Sequence, residues 1–153
     1  MPEIKPKQDV NGHTLLHHEV IAENPDAPWL VFVHGAGGSI RTWKFQIDAF
    51  APHFRLLLID LRDHGHSKDI LPEFPAYDFD IVAKDILVLT DHLGIEKAHF
   101  MSLSIGSVIL QKIDIERPEL VDRMIMAGAI FDGSKVHLVK LEDDSLIMPS
   151  ATY

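Results

Sequence analysis

The sequence predicts an α/β fold in which a mostly parallel sheet of about six strands carries helices on both faces. Three observations lead there. The runs Trp29–Val33, 54–60 and 124–130 are continuously apolar or nearly so, as strands buried on both faces must be. Between such runs lie segments whose apolar residues follow the 3.6-residue helical period. Strand and helix alternate, and that alternation is the pattern of parallel strands joined by crossover helices.

Asn11-Gly12 is a strong hairpin-turn pair. With the strand-like residues 14–22 it predicts an antiparallel opening. Asn24-Pro25-Asp26-Ala27-Pro28 is a loop by turn chemistry. Trp29–Val33 then forms a buried strand, followed at once by the glycine-rich His34-Gly35-Ala36-Gly37-Gly38-Ser39. Residues 42–50 read as a helix, with Trp43, Ile47 and Phe50 on one face. Residues 54–60 make the next strand, and 61–77 a long polar loop. Residues 79–93 give the clearest helix, with Ile81, Val82, Ile86, Leu89 and Leu93 in register and Gly94 as its stop. Residues 97–103 read as a strand, 105–115 as a helix and 121–131 as a further strand. Residues 1–132 are expected to form the core unit. Residues 133–153 show no convincing pattern and read as an irregular or weakly helical tail, or the start of a cap.

The chain has 153 residues, enough for one domain with a sizeable core. Its 14 basic and 23 acidic residues give a net charge of −9, which argues against nucleic acid and anionic membranes as partners. With no cysteine there is neither a disulfide framework nor a thiolate metal site. The first twelve residues have no apolar leader segment, and no apolar run approaches the ~18 residues that span a bilayer. A soluble cytoplasmic protein is the expectation.

The most informative segment is Ser102-Leu103-Ser104-Ile105-Gly106, between a strand-like and a helix-like run. A serine at a sharp strand-to-helix turn presents its hydroxyl on a strained backbone. Small neighbours allow the helix to pass close to the strand, and the next N–H groups open a helix N-terminus that can hold an oxyanion. A serine in such a place also serves as an ordinary helix N-cap, so the segment alone does not decide its role.

Three segments taken together resemble the α/β-hydrolase family: HGAGGS after the first buried strand, DLRDHGHS (residues 60–67) after the second, and SLSIG after the third. Their order matches the N-terminal portion of that fold, and the resemblance covers about residues 12–131. It implies Ser104 as nucleophile, with the N–H groups of Ile105 and Ala36 as the oxyanion hole and His34, Gly35, Gly37 and Gly106 as supporting loop residues. Two positions depart from the family pattern: Ser102 and Asp63 stand where glycine is usual.

The family's base is a histidine after the last strand, and its acid usually follows the penultimate one. Both positions fall beyond Tyr153. Asp132, after the strand 121–131, matches the acid's place in some members and is the candidate acid; an aspartate ending a strand in a loop is the plain alternative. His34 and His64 match structural loop histidines of the family. His64 and His66 form H-x-H, but no spacing elsewhere supplies further ligands, so neither a metal nor a cofactor is expected. Arg62 reads as a loop residue with surface or backbone contacts. The resemblance implies esterase-like hydrolysis of a small-molecule acyl substrate by a fragment that lacks the histidine segment. The rival is a non-catalytic, truncated binding or interaction module. The apolar run 123–131 is expected as an unprotected sheet edge open to self-association.

Overall fold

The computed structural model describes residues 7–74 and 76–131, and the backbone of 139–140 and 146–147. Five strands form one sheet: β1 (His18–Ile21), β2 (Trp29–Val33), β3 (Arg55–Ile59), β4 (Ala98–Leu103) and β5 (Val121–Ala127), in the order β1-β3-β2-β4-β5. β1 is antiparallel to β3, and the remaining pairings are parallel. The hairpin expected at Asn11-Gly12 is reduced to an isolated bridge between Gln8 and Thr14. The Asp9 carboxylate supports that turn by accepting from the N–H groups of Asn11 and His13.

β2 and β3 are buried on both faces, and their successive residues feed different layers. β4 alternates buried with partly exposed residues, and β5, expected from its apolar run to be buried on both faces, is largely exposed because it lies at the sheet edge. Val31 and Val33 of β2 and Leu57 and Ile59 of β3 join the larger core. That core is closed by α2 (Phe79–His92) through Val82, Ile86 and Leu89, and by α3 (Ile105–Glu116) through Ile109 and Ile113. Leu30, Phe32, Leu56 and Leu58 face the other way, against Ile40, Trp43, Ile47 and Phe50. The expected helix over 42–50 is divided there into a 3-10 turn, Ile40–Trp43, and the single-turn α1 (Ile47–Phe50). Ser39 caps the 3-10 turn with a capping box to Thr42, so the chain turns earlier and more tightly than the apolar period suggests.

β5 ends at Ala127, before the expected 131, because Gly128 takes φ +58° and turns the chain out of the sheet. The weak helix or irregular tail expected over 133–153 contains a short antiparallel pair, β6 (Val139–Lys140) with β7 (Leu146–Ile147), separate from the main sheet. Two-residue strands are too short to show an alternation.

Arg62 is a loop residue with a backbone contact, as its sequence position suggests, but it is not at the surface. It is buried, and its guanidinium grips Asp85 of α2 in a two-pronged pair, Nε to Oδ2 and Nη2 to Oδ1 at 2.7 Å each. A third donor reaches the Pro72 carbonyl, and the Phe74 ring lies 4.8 Å from the guanidinium. The planar fork of arginine suits this geometry. Burial pushes the Asp85 carboxyl up, against the lowering effect of the Arg62 hydrogen bonds.

Two imidazoles join the loop after β2 to the loop after β3. His34 Nε2 accepts from the Leu61 N–H at 3.0 Å, and His64 Nε2 accepts from the Gly37 N–H at 3.0 Å. Each ring's Nδ1–H donates to a local carbonyl, Gly35 O at 2.7 Å and Arg62 O at 2.8 Å. These partners fix both rings as neutral Nδ1–H tautomers, since a protonated Nε2 would leave a buried N–H without an acceptor. The rings meet edge to face with centroids 5.0 Å apart. Asp60 adds a third tie, accepting from Ile40 N–H through Oδ1 at 2.8 Å.

Asp85→Ala would leave the Arg62 charge buried without a counter-ion; we expect a loss of about 3–5 kcal/mol in chemical denaturation, and a loss below ~1 kcal/mol would show the pair to be dispensable. Burial lowers His34 to about 4 and lowers His64 as well. A folded-state value below the unfolded one means that the unfolded chain takes up protons first as pH falls. Stability from His34 is therefore full above about pH 6.5 and declines towards pH 4, by an amount on the order of 3 kcal/mol. Denaturation curves across that range should show the fall, and His34→Gln should flatten it.

Candidate active site

β4 carries the chain into the sharp strand-to-helix turn at residues 102–106, the elbow, and α3 carries it away. Phe100 of β4 and Ile105, Ile109 and Ile113 of α3 are fully buried, so strand and helix are held by the same core and the turn between them has no slack. Ser104 takes φ +53° and ψ −119°, a conformation rare for a residue with a side chain. Its own N–H is engaged, donating to Ala127 O of β5 at 2.9 Å. The closeness of the crossing appears at Gly106, where a Cβ would lie 2.5 Å from Val33 O and 3.0 Å from His34 O.

The helix beyond is begun by other groups. Ser107 donates its N–H and its hydroxyl to the Ser104 carbonyl, at 2.9 and 2.6 Å. The Ser104 side chain makes no capping hydrogen bond. Ser104 is therefore not an ordinary N-cap, because a capping residue has β-region backbone and a side chain bonded to the helix N–H groups. Ser104 is half-buried.

The glycine-rich loop lies directly on the elbow. A Cβ on Gly35 would stand 3.3 Å from the Ser104 Cβ and 3.2 Å from Leu103 O. The structure thus brings His34, Gly35, Ser104 and Gly106 together. Ala36 is half-buried between buried Gly35 and exposed Gly37, and Ile105 is buried at the first position of α3. Asp132 lies outside the described residues.

The two departures have different consequences. Asp63 takes φ +61°, the left-handed region that glycine occupies at least cost. Ser102 is fully buried and its Oγ has no hydrogen-bond partner among the described residues; a built Cβ at Gly106 would meet the Ser102 Cβ at 3.2 Å.

Among the described residues no histidine hydrogen-bonds Ser104. His34 and His64 are committed to the loop ties described above. His18 Nδ1 donates to Leu16 O, and burial lowers its pKa. His13 faces Asp9 at 2.9 Å. His99 sits on β4 beside Asp122, at 3.3 Å, and against the Phe54 ring. Asp122 is lowered chiefly by its hydrogen bond with Lys97.

Two residues that bear on the site carried no sequence signal. Ser107 Oγ accepts from Ile130 N–H at 2.8 Å, and Gln111 Nε2 donates to Ile130 O at 2.7 Å. They hold the segment after β5 against α3. In sequence they are polar positions in a helix read by its apolar period, and their partner lies 23 and 19 residues away.

Residues 28–148 match the family model of the alpha/beta hydrolase fold. A putative carbamate hydrolase RutD of Agrobacterium fabrum is 32% identical over 115 residues, covering 74% of this chain and 43% of the relative. A putative esterase/lipase of Haemophilus influenzae is 30% identical over 119 residues, covering 76% of this chain and 40% of the relative. The crystal structure of the enol-lactonase from Burkholderia xenovorans LB400 superimposes with a TM-score of 0.67 at 34% identity, over 75% of this chain and 43% of that one. The matches thus span less than half the length of these relatives. The elbow, the loop packed on it and these likenesses agree: the chain belongs to the α/β-hydrolase fold family and corresponds to the N-terminal portion of that fold.

Proposed function

We propose that this chain is the nucleophile-bearing part of a serine hydrolase that cleaves small carboxylic esters or closely related acyl compounds. The observation that carries the reading is Ser104, held at φ +53° with its hydroxyl free of any capping role. In the proposed reaction Ser104 Oγ attacks the acyl carbon while a histidine outside the described residues takes its proton. The N–H groups of Ile105 and Ala36 hold the developing oxyanion. Fixed donors of this kind are worth roughly 3 kcal/mol each in the transition state. The leaving alcohol departs with the proton returned by the histidine. Water then attacks the acyl-enzyme, its proton again passing to the base, and the acid product leaves with Ser104 restored.

Ester chemistry is supported by relatives named as an esterase/lipase and an enol-lactonase. The carbamate hydrolase relatives extend the same carbonyl chemistry to a neighbouring substrate class. The family's epoxide hydrolases are represented among similar structures, at 33% identity, but those enzymes resemble this fold with an aspartate nucleophile. Asp132 remains the proposed acid by its place after β5.

A second reading, a binding module without activity, is favoured by one observation: no described histidine reaches Ser104. Fluorophosphonate labelling with peptide mass spectrometry separates the two. Expected is a covalent adduct on Ser104 in a form of the protein that carries the base, lost in Ser104→Ala, with ester turnover reduced at least about 10⁴-fold. Labelling of the longer form but not of residues 1–153 would place the base outside this chain. Absence of label from both would overturn the hydrolase reading and leave the binding module.

A further inference from the structure

We propose that His17, Asp60 and His66 form a binding site for a divalent transition-metal ion such as Zn²⁺, on the same end of the sheet as Ser104 but separate from it. One nitrogen from each ring and one carboxylate oxygen lie within 4.8 Å of one another. The pair nearest to contact, His66 Nδ1 and Asp60 Oδ2, is 3.7 Å apart. Four-coordinate zinc, with bonds of about 2.0–2.2 Å to nitrogen and oxygen, needs ligand atoms about 3.3 Å apart. Binding would draw the ligand atoms closer by rotation of the His17 and His66 side chains, which are half-buried and exposed respectively.

The fold builds this cluster from segments far apart in sequence. β1 pairs antiparallel with β3, with His18 opposite Ile59, and one step on the Asp60 N–H donates to His17 O at 2.9 Å. The turn after β3 then folds back, and the His66 N–H donates to Asp60 Oδ2 at 2.8 Å. The Ser67 hydroxyl closes the turn, donating to Asp60 O and accepting from His17 N–H. The H-x-H pair of the sequence is not the ligand set, since His64 is committed to Gly37 and Arg62. His17, fifty residues from Ser67, replaces it.

The chemistry of the donors fits a borderline metal. Two imidazoles and one carboxylate suit Zn²⁺ and its first-row neighbours rather than Ca²⁺ or Mg²⁺, which favour all-oxygen shells. The Asp60 side chain is 2% exposed and is oriented by two backbone N–H donors, the kind of outer support that fixes a metal ligand. Each carboxylate oxygen retains a further lone pair. The rings lie edge to face with centroids 4.7 Å apart, and no hydrogen bond among the described residues occupies a ring nitrogen of His17 or His66. The His66 side chain is 56% exposed, which gives an ion a path in and leaves room for a water ligand. Asp60 and Ser104 stand at the ends of β3 and β4, two strand spacings or about 10 Å apart. The site is thus a clip joining the entry to β1 with the turn after β3.

The test is titration of the whole chain with Zn²⁺ by calorimetry and with Co²⁺ by visible absorption. Expected are one saturable equivalent, Co²⁺ bands of four-coordinate intensity, and affinity lower by on the order of a hundredfold in both His17→Ala and His66→Ala. His53→Ala, an exposed histidine elsewhere, should leave the binding unchanged. Melting curves without metal check that each variant is folded; these substitutions spare the backbone hydrogen bonds of the turn. Saturable binding unaltered in His17→Ala and His66→Ala would overturn the proposal, as would no saturable binding at all.

Discussion

Two neutral imidazoles tie together the loops that leave β2 and β3 at the C-terminal end of this sheet. Half of the loop after β2, residues 34–39, is glycine, and between His34 and Ser39 it has no polar side chain by which to be held. It is fixed instead through its backbone, by His64 accepting from Gly37 and by Asp60 accepting from Ile40. The loop after β3 is fixed in return by His34 accepting from Leu61. The exchange is reciprocal, so neither loop can shift without breaking a buried hydrogen bond. Leaving such a donor unpaired costs about 1–3 kcal/mol. The same bonds determine which proton each ring carries, which bars both histidines from acting as the base.

That brace gives the elbow its surroundings. Ser104 is strained, and the strain persists because β4 and α3 are buried on either side of it and Ser107 begins the helix in its place. The glycine loop lies so close to Ser104 that a Cβ added at Gly35 would stand 3.3 Å from the Ser104 Cβ, tighter than an ordinary side-chain contact. A tether from Ser107 and Gln111 to Ile130 then directs the chain leaving β5 back across α3. Backbone strain, an uncommitted hydroxyl and an adjoining loop of N–H groups are what the proposed acyl transfer would draw on beside a base, and each has its own structural cause.

The buried strands were plain in the sequence, because Trp29–Val33 and residues 56–59 are apolar without a break and suit central strands. The elbow was legible because its surroundings were: Ser104 falls where a strand pattern meets a helix pattern, and its neighbours Ser102 and Gly106 are small enough for the two elements to cross closely. Less was legible where local chemistry overrode the period. The Ser39–Thr42 capping box starts a 3-10 turn inside what reads as one helix, and Gly128 ends β5 early. Least legible were the side-chain meetings set by topology. Arg62 with Asp85, Ser107 with Ile130 and His17 with Asp60 each join residues more than twenty positions apart, and no spacing rule connects them.

The central claim is that the glycine-rich loop after β2 is held against the loop after β3 by neutral Nδ1–H tautomers of His34 and His64. Nitrogen-15 NMR of the imidazole rings at neutral pH tests it directly. The account predicts, for both residues, a protonated Nδ1 and an unprotonated Nε2 that is hydrogen-bonded to the Leu61 or Gly37 amide. An imidazolium, or an Nε2–H tautomer at either residue, would contradict it.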